Sequence, residues 1–177
     1  MPPLVINNEN IDVTTSYQYL GLTIDNKLSW HAHVDTIVKK LNSRLYFLRK
    51  LRSFNIGVPI LKVFYSSTIE SIIAFNITCY GSNLGRTYVE KLNRVIKSAS
   101  KVIGCELDDF DTLYTLNVKR KVHSLLKNET HPLYTEYERS ARSGRLISKI
   151  ARTERYLNSF VPTSVRLLIA QNSRAYD

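Results

Sequence analysis

Two groupings of side chains in this 177-residue chain have spacings that catalysis could use. His33-Val34-Asp35 has the His-x-Asp spacing of a facial iron triad, and His123 and His131 are available as the further histidine such a triad needs. Triads of that kind are held on strands, whereas this pair opens an amphipathic run in a chain that reads helical from there on. His31 and His33 are therefore expected in a first helical turn, with Asp35 complementing the helix dipole. Asp108-Asp109 has the adjacency of carboxylates that hold two divalent ions for phosphoryl transfer. Glu106 stands where that motif carries an aromatic residue, and the surroundings are helical, so an acidic loop starting a helix is expected instead. No nucleophile elbow accompanies the serines and histidines, and no Gly-x-x-x-x-Gly-Lys phosphate loop is present. Glycine is scarce, with six in the chain, and Gly81 with Gly85 reads as an interhelical turn. No catalytic residue, no metal and no cofactor is expected.

The third grouping is cationic. The formal net charge is +10, and it is unevenly placed. Up to Val38, Lys27 stands alone against Glu9, Asp12, Asp25 and Asp35; from Lys39 onward 24 basic residues face 11 acidic ones. A neutral-to-acidic head followed by a basic helical body suits contact with a polyanion. Lys39, Ser43, Tyr46 and Lys50 follow helical spacing along one stripe, Arg94, Lys97 and Lys101 share a face of a later helix, and Lys119-Arg120-Lys121 forms a run. Ammonium and guanidinium groups spaced this way can track a phosphate backbone, and the same pattern serves equally as a solvated face.

The elements that must position these groups follow from periodicity. Leu4-Val5-Ile6 and Ile11-Asp12-Val13 flank the turn-rich Asn7-Asn8-Glu9-Asn10, which predicts a hairpin, and Tyr17 to Ile24 reads as a third strand. Asp25-Asn26-Lys27 is turn-like, and Ser29 is the expected N-cap of a helix entering at Trp30 or His31. Val34, Ile37, Val38, Leu41, Leu45 and Leu48 then mark one helical face as far as Arg52. After Asn55 to Pro59, the run from Ile60 to Cys79 is apolar nearly all round and predicts the central helix of a bundle, in which Glu70 must meet solvent or a cation. Lys62 and Glu70 make it read as a buried helix rather than a membrane span. A helix from Thr87 to Ile103 ends at Gly104, a short one starts at Thr112, and another runs from Val118 to Lys127. His131-Pro132 lies in a linker, Glu136 to Arg145 is the expected mobile segment, and a last helix from Pro162 to Gln171 should dock through Val165, Leu168 and Ile169.

Length and a 44% hydrophobic composition allow a real core. The two cysteines, Cys79 and Cys105, supply no disulfide framework, and Leu4-Val5-Ile6 is too short for a signal-peptide core, so an intracellular setting is expected.

The run Tyr17-Gln18-Tyr19-Leu20-Gly21-Leu22-Thr23-Ile24-Asp25-Asn26-Lys27-Leu28-Ser29-Trp30-His31-Ala32-His33-Val34-Asp35 resembles the segment that follows the catalytic motifs of LINE-type (non-LTR retrotransposon) reverse transcriptases. Leu45 to Arg52, Phe64-Tyr65 with Ile69-Glu70-Ser71, Cys79-Tyr80-Gly81, and Leu92 to Lys97 through Ile103-Gly104 resemble the thumb of that family. His131-Pro132-Leu133-Tyr134, Ser143-Gly144-Arg145 and Asn158 to Pro162 resemble its C-terminal stretch. The resemblance implies that Tyr19-Leu20-Gly21 matches the hairpin near a primer terminus and that the basic helices match the grip on template-primer duplex. It also implies nuclear localisation where that ancestry dictates it. The catalytic palm carboxylates have no counterpart, so polymerase activity is not expected. Gly57 to Gly81 is also similar to a short N-terminal helical segment of the AlkB-type tRNA-modifying dioxygenase and methyltransferase family.

Together these readings predict a mainly α protein: a β-hairpin or three-stranded head over residues 1–28, a thumb-like helical bundle over 29–127, and a linker with a docking helix over 128–177. The expected function is non-catalytic binding of RNA, DNA or RNA-DNA duplex through Lys39, Lys50, Arg94, Lys97, Lys101, Lys119, Arg120 and Lys121. The alternatives are a structural or protein-interaction fragment and an inactive module of an AlkB-type protein.

Overall fold

The computed structural model describes residues 4–173 except Asn8, Ser143, Arg145, Ser148, Lys149 and Ala151. The fold is mainly α, with two small antiparallel hairpins leading into a helical bundle. Strand β1 (Leu4–Ile6) pairs with β2 (Glu9–Ile11) in the register Leu4↔Ile11, Val5↔Asn10, Ile6↔Glu9. The second strand thus begins two residues earlier than the apolar run Ile11-Asp12-Val13 indicates. In the turn, Asn7 takes the left-handed conformation that asparagine tolerates (φ 51°).

Tyr17 to Ile24 is two strands rather than one. Strand β3 (Ser16–Tyr19) folds back on β4 (Leu22–Asp25) through Leu20 and Gly21, both at positive φ (46° and 82°). Two successive left-handed residues make a turn whose twist matches that of the paired strands, and a glycine at the second position makes it affordable for an otherwise strained leucine. Gly21 also has a packing reason, since a Cβ there would lie 3.1 Å from Cε1 of Phe75.

Asp25, not Ser29, organises the entry to the first long helix. Its carboxylate accepts from the backbone N–H of Lys27 (2.9 Å), Ser29 (3.0 Å) and Trp30 (3.0 Å) and from the Ser29 hydroxyl (3.0 Å). Those donors, led by Ser29 N–H, hold its pKa down to about 2. Trp30 occupies the cap position in the left-handed region (φ 63°), and helix α1 runs from His31 to Ser53. Val34, Ile37, Leu41, Leu45 and Leu48 are buried on one face, as their spacing predicts.

The apolar run after Pro59 is not one helix. Helix α2 (Val58–Tyr65) passes through a π turn (Ser66–Glu70) into α3 (Ser71–Ala74). The chain then breaks at Phe75 and Asn76 (φ 52°) and resumes as α4 (Ile77–Tyr80). Only one stripe is buried: Leu61, Tyr65, Ile69, Ile73 and Ile77, with Tyr80 beyond it. A strict four-residue repeat drifts about 40° per step around an α-helix. The wider π turn rotates less per residue and brings the stripe back toward the core. The hydroxyls of Ser67 and Thr68 donate to the Phe64 carbonyl (3.1 and 2.6 Å), competing with the helical ladder where the turn widens. Ile60 and Val63 stay exposed, which corrects the expectation of a helix buried all round. By length and composition alone, Val58–Asn83 is apolar enough to cross a membrane.

Helix α5 (Arg86–Ile103) ends on Gly104 at φ 84°, and Leu92, Val95, Ile96, Ala99 and Ile103 point inward. The two helices expected between Thr112 and Lys127 are a single one, α6 (Phe110–Leu126). Asp109 caps it by accepting from Thr112 N–H (2.9 Å), and Asn93 ties its first residue to α5 through Phe110 N–H (2.9 Å). Val118, Val122 and Leu125 continue the buried stripe begun by Phe110 and Leu113. Beyond α7 (Glu154–Leu157), α8 (Phe160–Ser173) docks through Val165 and Leu168, whereas Ile169 is 38% exposed. Gly144 is described, but Ser143 and Arg145 of the expected mobile segment lie outside the described residues.

Two cores result. The larger spans Leu22 to Leu113; the smaller joins Val122 and Leu125 of α6 to Tyr137, Val165 and Leu168, with the Tyr137 and Ser164 hydroxyls 2.7 Å apart.

Candidate nucleic-acid interface

Helices α1 and α5 run side by side in the same direction. His31 at the start of α1 stacks on Tyr88 at the start of α5, with ring centroids 4.1 Å apart and planes within 6°. One turn further along each helix, Lys91 Nζ donates to Asp35 Oδ1 at 2.7 Å and also sits 4.3 Å over the Tyr88 ring. That hydrogen bond raises the Lys91 pKa and keeps the ammonium charged.

Beyond this staple the two helices border a groove of about 590 Å³. Four cationic side chains line it: Lys39 and Arg49 from α1, Lys91 and Arg94 from α5. Val38, Leu45 and Val95 contribute apolar surface, and Asn42 and Ser98 add polar groups. Asp35 is the acidic residue of the lining, and it is already paired with Lys91. The arrangement presents separated positive charges along a shallow trough, with amide and hydroxyl donors between them. Phosphate diesters are bound by such sets, because charge supplies attraction and the neutral donors fix register.

Of the residues singled out by spacing, the fold brings together Lys39 and Arg94. Ser43, Tyr46 and Lys50 of α1 and Lys97 and Lys101 of α5 are exposed but are not among the residues that line the groove. Lys119 is half-buried on α6, while Arg120 and Lys121 are exposed. Three consecutive helical residues diverge by about 100° each, so that run does not form one patch. Tyr19 and Leu20 are exposed at the β3–β4 turn, and Gly21 rests against Phe75.

Sequence spacing missed Arg49 and Lys91 as partners of Lys39 and Arg94. Arg49 is next to the picked Lys50 and Lys91 is three positions before Arg94, but which of these residues share the trough is decided across two helices, where the His31–Tyr88 stack and the Lys91–Asp35 pair mark the registration.

The other candidate chemistry is accounted for by local structure. His33 is 2% exposed; its Nδ1 accepts from Thr23 N–H at 3.4 Å, and its ring meets Trp30 and Tyr80 edge-on. Burial, with Lys40 nearby, pushes its pKa below the ordinary histidine value. Among the described residues, no three His, Cys, Asp or Glu side chains gather as a metal-binding group.

Residues 30–71 match the family model described as Alkylated DNA repair protein alkB homolog 8, N-terminal. The match covers α1, α2 and the π turn, well under half of the chain. It begins earlier than the Gly57 to Gly81 segment identified by resemblance, shares its first part, and stops short of Gly81. No curated protein and no solved structure matches the chain. The likeness to LINE-type reverse transcriptases rests on the residues quoted for it.

Proposed function

We propose that this chain is a non-catalytic helical module that binds nucleic acid along the groove between α1 and α5. The observation that carries the reading is the convergence of Lys39, Arg49, Lys91 and Arg94 on one trough whose carboxylate is already paired. Lys50, Lys97 and Lys101 would add to the positive field of α1 and α5, while Lys119, Arg120 and Lys121 would act at longer range on another helix. The non-catalytic reading is supported by the local tasks of the candidate catalytic groups: His33 is a core residue and Asp109 is a helix cap.

Binding of the chain to an RNA-DNA duplex across a salt series tests the proposal. The affinity should fall steeply with salt, and Lys39→Gln with Arg49→Gln and Arg94→Gln should flatten that dependence by about one unit of slope per lost contact. A folded chain that ignores duplex at low salt would instead be a structural or protein-interaction fragment.

Descent from a reverse-transcriptase thumb is the finer reading, supported by the order of the quoted segments through most of the chain. A second reading is favoured by the match over residues 30–71: an inactive helical module of the kind found in AlkB-homologue proteins. The two share the prediction of nucleic-acid contact and differ in ligand, since the first expects preference for RNA-DNA duplex and the second for structured RNA.

A further inference from the structure

Helix α1 carries a second stripe that the groove does not use. Lys40, Arg44, Phe47, Leu51 and Phe54 recur at spacings of four, three, four and three residues. At 100° per residue they fall within an arc of about 80°, and Asp35, Val38, Asn42 and Arg49, which line the groove, lie about 180° around the same helix. The stripe is graded, cationic at its first two positions and apolar at the last three. Helix α2 packs on α1 and is joined to it by Phe54 to Gly57. It adds Ile60, Val63 and Phe64 within an arc of about 100° of its own.

Leu51 and Phe64 are half-buried and pack against the larger core, whereas Phe47, Phe54, Ile60 and Val63 are between 47% and 72% exposed. Large apolar side chains exposed together on two packed helices form a patch that folding itself does not cover. The half-buried pair gives the seam a floor and the exposed side chains give it walls, a shape that a rod fills. A stripe repeating every three and four residues meets another helix in register, because the side chains of the facing helix recur in the same way.

Charge decides which helix. Between Asp35 and Glu70 lie seven cationic residues and no acidic one. Lys40 and Arg44 are exposed and belong to neither of the ion pairs found among the described residues, Arg86–Glu90 and Lys91–Asp35. A second copy of the chain would bring the same cationic stripe and a net charge of +10, so it has no carboxylate from this seam to offer.

We propose that the seam between α1 and α2 docks one amphipathic helix of a partner protein, apolar where it meets Phe47, Phe54, Ile60 and Val63 and acidic where it meets Lys40 and Arg44. From Lys40 to Phe54 the stripe rises about 21 Å, so a helix of about four turns covers it. The stripe lies opposite the groove on α1, so the partner does not compete with nucleic acid for the same side chains.

The test uses the full chain and a fluorescein-labelled helical peptide of about 18 residues with leucine at heptad positions a and d. Its flanking positions are glutamate in one half and glutamine in the other, and the control peptide carries lysine in place of glutamate. Fluorescence anisotropy should show saturable binding of the acidic peptide, weakened about tenfold by Phe54→Ser with Val63→Ser. Thermal stability should not change in that variant, because both side chains already face solvent. Lys40→Glu with Arg44→Glu should reverse the preference, so that the lysine peptide binds instead. Lys39→Gln with Arg49→Gln and Arg94→Gln should bind the acidic peptide as the parent does, which separates the seam from duplex binding in the groove. No saturation by the acidic peptide, equal binding of both peptides, or loss of binding in the groove variant would overturn the proposal. Self-association that Phe54→Ser with Val63→Ser abolishes would also overturn it, by making the seam an interface between copies. So would sedimentation with phosphatidylserine vesicles that the same variant abolishes, by making it a membrane contact.

Discussion

The α1–α5 groove and a smaller cleft beside α2, lined by Lys62, Glu70, Glu106 and Asp108, differ in sign and in construction. In the groove the charges sit on exposed positions of two regular helices, and its acidic member is neutralised by Lys91 at 2.7 Å. In the cleft the carboxylates come from a π turn and a loop. An overall charge of +10 therefore conceals a local reversal. Total charge sets long-range attraction, but what each surface attracts is decided within a Debye length, about 8 Å at physiological salt.

The sharpest way to break the comparison is to neutralise the groove. Replacing Lys39, Arg49 and Arg94 by glutamine should lower duplex affinity by about 10- to 100-fold in low salt. Replacing Glu70 and Asp108 by their amides should leave duplex affinity unchanged or slightly raised. Fluorescence anisotropy on both variants checks the contrast, and equal losses would mean that only net charge matters.

The next effect is on stability. A Cβ at Gly81 would lie 2.5 Å from Cδ2 of Tyr114, where the end of α4 meets α6. Gly81→Ala should destabilise the fold by about 1–3 kcal/mol in urea denaturation, since the partly buried Tyr114 ring is packed against the core and must be displaced. Because α6 also contributes Leu113 to the cleft, amide shifts should concentrate there and spare the α1–α5 groove.

Tyr80→Phe comes below that. The buried Tyr80 hydroxyl donates to the Ile73 carbonyl across the break at Phe75 and Asn76. Its loss should cost about 1 kcal/mol and increase hydrogen exchange at Ile77 to Tyr80.

Asp35→Asn should change stability little, because the Lys91–Asp35 pair is substantially exposed. It should nevertheless raise duplex affinity a few-fold, because Lys91 is released and a carboxylate leaves the groove. Unchanged affinity would place the duplex elsewhere.

The smallest effect is a pH dependence from His33. Its folded pKa is depressed, so the unfolded chain takes up a proton first as pH falls below about 6.5, the reference histidine value. Stability is then at its full value above that pH and declines below it until the folded pKa is reached. His33→Gln should remove that decline in urea midpoints measured from pH 7.5 to 5.5.

Much of the fold was legible because periodicity reports which face of an element is buried. Val34, Ile37, Leu41, Leu45 and Leu48 mark the inner face of α1, and Gly104 marks the end of α5, since both follow from local geometry. The failures lie where a tertiary demand overrides the local pattern. Tyr17 to Ile24 alternates like one strand, but Leu20-Gly21 can turn back and Gly21 must fit against Phe75. Ser29 is a better cap by type than Trp30, but Asp25 at the end of the preceding strand holds the N–H groups of Lys27, Ser29 and Trp30 and so fixes the turn that leads into α1. The run after Pro59 looks apolar all round because its exposed positions, among them Ile60 and Val63, are also apolar, which erases the contrast that periodicity needs. The candidate site was half legible: Lys39 and Arg94 could be picked from spacing, while Arg49 and Lys91 could not.

By itself the sequence determined the mainly helical class, the inner faces of α1 and α5 and the cationic excess after Val38, because each depends on residue type and on spacing within one element. Tertiary structure alone decided which cations face one another, which carboxylate is paired and which side chains close the core around Tyr65 and Tyr80. Those relations depend on the registration of α1 against α5 and of the α5–α6 loop against the π turn, and such distances between remote segments are set by packing of the shared core.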